Sequence, residues 1–225
     1  MLAVELHTHS SASYDGRDSI DLILGQAKAV GLDAVAITDH DVIEASLEAA
    51  ERAEDFGLIG IPGIEVTSAV GHVIGLGVTE KIPAGLSYGE TIARIRDQGG
   101  ISIIPHPFQP SRSGIAPNVT RDELATADAI EVYNSRLLTG RANRKAEAFA
   151  RSRSLPMTAG SDAHISEMVG QAVTLVDGDP VTGVDGILDA IQSGETIVDG
   201  KRTPWHISFQ QMMGGVKRRI INRIR

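Results

Sequence analysis

Six of the seven histidines in this 225-residue chain fall where a short apolar run ends or begins. His7 and His9 follow the run at 3–6, His40 follows 34–37, His72 opens 72–78, His106 follows 101–104 and His164 comes after 155–158. Carboxylates accompany them: Asp15, Asp39, Glu65, Glu131 and Asp162. Imidazole nitrogen together with carboxylate oxygen suits zinc, manganese or iron. Five carboxylates gathered in one cleft without cations would repel one another strongly. The chemistry open to such a set is therefore that of bound divalent metal. A lone His-x-His says little, because residues two apart on an extended strand simply face the same way; the joint pattern is the signal.

The elements that must position these residues read as βα units. Strand-length apolar runs lie at 3–6, 34–37, 58–64, 72–78, 101–104, 129–132, 155–158 and 171–176, and helical patterns at 19–30, 42–56, 88–98, 120–126, 140–153 and 184–192. Alternation of this kind predicts a largely parallel sheet whose strands are buried on both faces. Gly31, Gly57 and Gly99 stand where helix C-caps would fall. Around Gly71-His72 there is no room for a crossover helix, which predicts a hairpin. In a parallel barrel all C-terminal strand ends share one mouth, so residues more than 150 positions apart can meet there.

Composition narrows the class. With 42% apolar and 22% charged residues the chain is globular. Absence of cysteine excludes disulfides, thiolate zinc, iron-sulfur clusters and cysteine nucleophiles. Aromatics at 4% are too few for the stacking platforms of single-strand binders. No apolar run approaches the ~18 residues of a membrane span. The start MLAVELHTHS lacks a basic segment leading into an apolar one, so the expectation is a cytoplasmic protein without a transmembrane segment. All 29 acidic residues lie in 1–200 with 14 of the 21 basic ones, a net of −15, whereas 201–225 holds seven basic residues and no acid. Two units are expected: a metal-binding domain over 1–200 and a basic, helical tail over 201–225.

The motifs His-Thr-His-Ser followed by Asp15-Gly16, Thr38-Asp39-His40-Asp41, Gly63-Ile64-Glu65, Pro105-His106-Pro107 and Gly160-Ser161-Asp162-Ala163-His164 resemble, in order, those of the PHP (polymerase and histidinol phosphatase) superfamily. The resemblance covers about 4–180 and implies a distorted (β/α)7 barrel with two or three divalent ions (Mn, Zn or Fe) at the C-terminal mouth of the strands. It places His7, His9, Glu65 and Asp162 on one metal, with Glu65 bridging to a second held by His72 and His106. Asp15, His40 and His164 would hold a third. Asp15 stands where some histidinol phosphatases carry histidine, which leans the chain toward nucleotides and nucleic-acid ends.

The implied function is a metal-dependent phosphoesterase acting on nucleotides, nucleoside bisphosphates or nucleic-acid 5′ ends. Closely spaced metals lower the pKa of a bridging water and orient the resulting hydroxide for in-line attack. The alternatives are an L-histidinol-phosphate phosphatase and a non-catalytic metal-binding accessory module. Arg136 is the preferred catalytic and phosphate-contacting cation, because 131–136 leaves a strand toward the mouth; Arg17 and Asn134 are further substrate-binding candidates. Asp39 is a candidate catalytic residue, acting as support for a ligand histidine, and Glu131 is read likewise. Asp41 is read as the N-cap of the following helix, and Arg112 as either a plain loop residue or a further cation at the site. No nucleophile-elbow pattern surrounds Ser161. Glu65 and His106 are 41 positions apart, too close for a large inserted cap, so an open mouth is expected. The tail, with Met212, Met213, Val216, Ile220, Ile221 and Ile224 among basic residues, is read as a helix docked on the domain, or as a contact for an anionic partner such as a phosphate backbone or membrane surface.

Overall fold

The computed structural model describes residues 1–137, 140–178 and 180–201. The expected basic tail, apart from Lys201, lies outside the described residues. Among the described residues nine strands form a single sheet: β1 (Leu2–Glu5), β2 (Ala34–Ile37), β3 (Ile59–Ser68), β4 (Gly71–Leu76), β5 (Ile101–Ile104), β6 (Ala129–Asn134), β7 (Met157–Gly160), β8 (Ala172–Val176) and β9 (Thr196–Gly200). Between them run α1 (Ile20–Ala29), α2 (Glu44–Arg52), α3 (Tyr88–Asp97), α4 (Arg121–Leu124), α5 (Arg141–Ser152) and α6 (Gly183–Ser193).

The spatial order is β7-β6-β5-β4-β3-β2-β1-β8-β9. Strands β1 to β3 and β5 to β7 are parallel within each group, and β4 is antiparallel to both its neighbours. The reversal is the expected hairpin, with Ser68 paired to Gly71. It carries His72 to the same end as the C-terminal tips of the parallel strands. Strands β8 and β9 add two antiparallel members beyond β1. The run 171–176 was legible; β9 was not, because Thr-Ile-Val-Asp-Gly is short and half exposed.

The sheet curls until its ends nearly meet. Just past β1 and β7, Thr8 pairs in parallel with Ala163, the His9 N–H donates to Ala163 O at 2.7 Å, and the Ala163 N–H donates to His7 O at 3.3 Å. At the other end β8 intervenes, and the join is made by a side chain: Thr174 Oγ1 accepts from Ala159 N and donates to Ala159 O. Closure at the mouth is what brings the first and seventh strands' histidines together.

Packing follows the sequence pattern. One buried cluster joins Val4, Ala36, Ile61, Leu76 and Ile103 with Ile187, Leu188 and Ile191 of α6. A Cβ on Gly77, which follows the outgoing end of β4, would stand 2.5 Å from Leu188 Cδ1, so α6 seals the end opposite the mouth. Two outer clusters seat α1 and α2, and α3 to α5, against the strands. Helix starts are set locally: Ser19 accepts from Leu22 N, and Ser87 with Glu90 and Thr120 with Glu123 form capping boxes.

Asp41 departs from its expected role. Helix α2 begins at Glu44 with no side-chain cap. Asp41 instead adopts φ 55° and accepts from Thr67 N at 2.7 Å, while its own N–H donates to Glu65 O. Its carboxylate thus braces the strand that carries Glu65 rather than the helix that follows.

Candidate metal centre

Strands β1 to β5 and β7 contribute at the mouth end. His7 and His9 leave β1, His40 leaves β2, and Glu65 lies within β3, bridged to His40 in parallel register. His72 opens β4, His106 follows β5, and Asp162 and His164 follow β7. Asp15 reaches in from the loop between β1 and α1. All except Asp15 are buried. His106 (φ 32°), Asp162 (φ 51°) and Asp41 (φ 55°) hold left-handed backbone. Such positions cost about 1–3 kcal/mol each and collect at functional sites.

These nine side chains fall into overlapping groups whose ligand atoms lie within 4.8 Å of one another: His9, Asp15, His40 and His164; His7, His106 and Asp162; His7, His9 and Glu65; and His40, Glu65 and His72. Glu65 is the hub. Five imidazoles approach its carboxylate: His72 Nδ1 at 2.8 Å, His9 Nε2 at 3.2 Å, His7 Nε2 and His40 Nδ1 at 3.3 Å, and His106 Nε2 at 3.5 Å. The partition differs in part from the sequence expectation. His9 also faces the Asp15 group, and His106 groups with His7 and Asp162.

His9 Nδ1 and Nε2, His40 Nδ1, Glu65 Oε1, His72 Nδ1 and His106 Nδ1 are buried, and among the described residues none makes a well-aligned hydrogen bond, since the short contacts of His9, His40 and His72 with Glu65 are charge contacts without that alignment. Leaving a buried polar atom unpaired costs about 1–3 kcal/mol. Imidazole nitrogens and carboxylate oxygens brought together in this way fit divalent cations of the first transition row.

The electrostatics agree. Burial raises the Glu65 carboxyl, but His40, His72 and His7 outweigh it and hold it well below the ordinary range. Asp162 is also held low despite burial, chiefly by Arg136 and His7. Burial works against charge on His7, yet Glu65, Glu131 and Asp162 keep its ring well above the usual imidazole value. His40 is pushed up to about 9, with Glu65 and Asp15 overcoming burial. His9, burdened by burial and the nearby His164, drops to about 3.

Other residues hold the donors. Glu131 Oε1 lies 2.9 Å from His7 Nδ1, its Oε2 accepts from His106 N at 2.7 Å, and Asn134 Nδ2 donates to that same oxygen at 3.0 Å. Asn134, expected at the substrate, is buried and also donates to Asp162 Oδ2 at 3.3 Å. The Asp39 carboxylate turns away from the donor side chains; its two oxygens accept from Ser10 N at 2.7 Å and Ser10 Oγ at 2.5 Å, tying down the loop after His9, while its backbone carbonyl accepts from Glu65 N at 3.2 Å. Arg136 Nη1 sits 3.0 Å from Asp162 Oδ1 and 2.8 Å from His164 Nε2. The backbone N–H of Arg17 donates to His164 O.

Two residues do more than the sequence indicated. Arg112 is not a plain loop residue: Nη1 reaches Asp162 Oδ2 at 3.4 Å, so two guanidiniums flank one buried carboxylate. Nothing in Gln-Pro-Ser-Arg-Ser-Gly signals this. Glu5, fully buried, accepts from the backbone N–H groups of His7, Ser161 and Gly170, and burial pushes its carboxyl up to about 7. Its spacing, two before His7 and four before His9, was the available signal. Apart from the donor cluster, a groove of about 580 Å³ runs between α5 and β9, lined by Leu137, Arg144, Met157 and Ile197 and sharing Asn134 with the site.

Residues 5–144 match the PHP domain, and 140–196 match a PHP-associated region. The chain belongs to the PHP family. A relative in Methanocaldococcus jannaschii, uncharacterized protein MJ1587, is 35% identical over 144 residues, 60% of this chain and 82% of that protein. The phosphoribosyl 1,2-cyclic phosphate 1,2-diphosphodiesterase of Eggerthella lenta is 37% identical over 86 residues, 36% of this chain and 32% of that enzyme. A two-domain protein from Bacteroides vulgatus, described as containing a predicted PHP-like metal-dependent phosphoesterase, superimposes with a TM-score of 0.73 at 23% identity. That superposition covers 88% of this chain and 64% of the other, and it establishes the shared fold. No helix among the described residues is long and apolar enough to cross a membrane.

Proposed function

We propose that this PHP chain is a metal-dependent phosphoesterase that holds two or three divalent ions (Mn, Zn or Fe) on His7, His9, Asp15, His40, Glu65, His72, His106, Asp162 and His164. Its substrates are phosphate esters of nucleotides, nucleoside bisphosphates or nucleic-acid 5′ ends. The observation that carries this reading is the convergence of nine residues with nitrogen or oxygen donors, Glu65 among them, into four overlapping groups, several of their donor atoms buried and without a well-aligned hydrogen bond among the described residues. The Eggerthella lenta relative, whose name gives it a phosphoribosyl cyclic phosphate as substrate, supports a phosphodiester or monoester bond as the target.

When bound, the cations supply Lewis acidity and a water activated at neutral pH. The protein's own residues do the rest. Glu131 holds His7 with Nδ1 occupied, which turns Nε2 toward Glu65. Arg136 and Arg112, both already turned to Asp162, present forked donors to the phosphoryl oxygens. Asp39 and Asn134 touch neither substrate nor reacting atoms in this scheme; they are positioning residues.

The test is phosphate or nucleotide release from p-nitrophenyl phosphate, AMP, adenosine 3′,5′-bisphosphate, histidinol phosphate and RNA at fixed manganese. Turnover of the nucleotides, lost on chelation and restored by metal, is expected. Preference for histidinol phosphate replaces the substrate class, and no release from any compound by metal-loaded protein makes the chain a binding module.

A further inference from the structure

Three rings form a column that climbs from the floor of the site to its rim. His9 and His40 stack with centroids 4.6 Å apart and planes 27° from parallel, and His40 and Tyr14 stack at 4.8 Å and 20°. Exposure rises along it, from 1% at His9 through 7% at His40 to 70% at Tyr14. Among the described residues Tyr14 is the sole aromatic in the set of exposed large hydrophobic side chains. One face of its ring lies on His40, and the residue as a whole is largely exposed.

The backbone beneath Tyr14 is pinned. Next to it, Asp15 Oδ2 lies 2.7 Å from His164 Nε2 and 3.6 Å from His40 Nε2, and Ser13 Oγ donates to Asp15 Oδ1 at 3.0 Å. Close by, a Cβ on Gly16 would stand 1.9 Å from Ser10 O, so the loop is packed on itself. A ring on a fixed loop gives up little freedom when a ligand stacks on it, which favours binding.

We infer that Tyr14 is the base-stacking end of the site, taking the planar base of a nucleoside phosphate whose phosphoryl group lies on the metal donors below. A nucleoside phosphate has the matching order, with an anionic group at one end, a ribose spacer and a flat aromatic at the other. The column offers metal donors, then His40, then an open ring. This rests on the phosphoesterase reading and names what selects within it.

The experiment is calorimetric titration of the metal-loaded protein with the non-hydrolysable phosphonate analogues of AMP and of ribose 5-phosphate. The AMP analogue should bind about tenfold more tightly, as one base on one aromatic allows. Tyr14→Ala should abolish that difference while leaving the ribose analogue unchanged, and Tyr14→Phe should keep it, since the ring and not the hydroxyl is at work. Equal binding of the two analogues by the native protein, or equal weakening of both in Tyr14→Ala, overturns the inference. A Tyr14-dependent base preference in a protein that hydrolyses nothing would sink the proposed activity and leave the subsite standing. Turnover indifferent to Tyr14 would do the reverse.

Discussion

His7 Nδ1 lies 2.9 Å from Glu131 Oε1, and both are closed off from solvent. A carboxylate at that nitrogen keeps the proton on Nδ1 and leaves the Nε2 lone pair for a cation shared with Glu65 and Asp162, whose oxygens lie 3.3 and 4.0 Å from it. Replacing Glu131 with Gln keeps the size but removes the charge that favours this tautomer. Metal affinity or turnover should fall about 10- to 100-fold, measured by metal titration beside steady-state kinetics. An unchanged metal affinity would show that His7 is oriented by packing alone.

Gly160 exists to let this pair form. A Cβ there would stand 2.5 Å from His7 Cβ and 2.6 Å from Glu131 Oε1. Gly160→Ala should destabilise the fold by about 1–3 kcal/mol through overpacking and should also weaken metal binding. Denaturant midpoints give the first quantity and metal stoichiometry the second. Loss of stability with full metal occupancy would separate the strain from the site.

Removing the metals should lower the melting temperature, because a ligand bound by the folded chain alone stabilises it by mass action. Glu65→Ala should lose more than one equivalent of metal, since Glu65 takes part in two of the donor groups, with His7 and His9 and with His40 and His72. Elemental analysis of purified protein reads this directly. Loss of a single equivalent would mean that Glu65 does not bridge.

Arg136→Ala should reduce kcat by about 10²-fold if its guanidinium meets charge that develops at the phosphoryl group. Arg136→Lys should recover little, because a point charge does not replace a planar fork. Arg112→Ala tests the second cation on Asp162 in the same assay. A change confined to KM would assign either arginine to ground-state binding.

Stability should weaken on the acid side for a local reason. A hydrogen bond from the Ser87 side chain holds the Glu90 carboxyl below its ordinary value, and one from the Thr120 backbone does so for Glu123. A carboxyl with a depressed folded pKa contributes its stability in full above the unfolded value of about 4.3 and loses it as pH falls through the folded value. Glu90→Gln and Glu123→Gln should therefore flatten the dependence of the urea midpoint between neutral pH and the carboxylate range. A dependence as steep as the parent's would deny the two boxes any part in it.

Much of this architecture is written in short-range pattern. Ser87 with Glu90 opens α3 and Gly99 closes it at φ 78°, all within 13 residues. The runs Ala-Val-Ala-Ile at 34–37 and Ile-Ser-Ile-Ile at 101–104 coincide with β2 and β5 because small and β-branched side chains serve strands buried on both faces. Histidines at strand exits marked the mouth because strand ends and barrel ends are the same place.

The tertiary structure decided what no local window contains. Thr8 meeting Ala163 closes the ring, and only then do His9 and His164, or His7 and Glu131, become neighbours across 155 and 124 positions. The same closure brings Arg112 to Asp162, whereas its own loop carries no periodicity or cap that would betray the contact. Asp41 braces Thr67 for a related reason. A carboxylate before a helix is free to cap it or to accept from any nearer amide, and the register of β2 against β3 put Thr67 N within reach. The sequence by itself determined which residues could ligate and which segments could carry them. Partnership among them depended on how far the sheet curled, a property of the whole set of strand pairings.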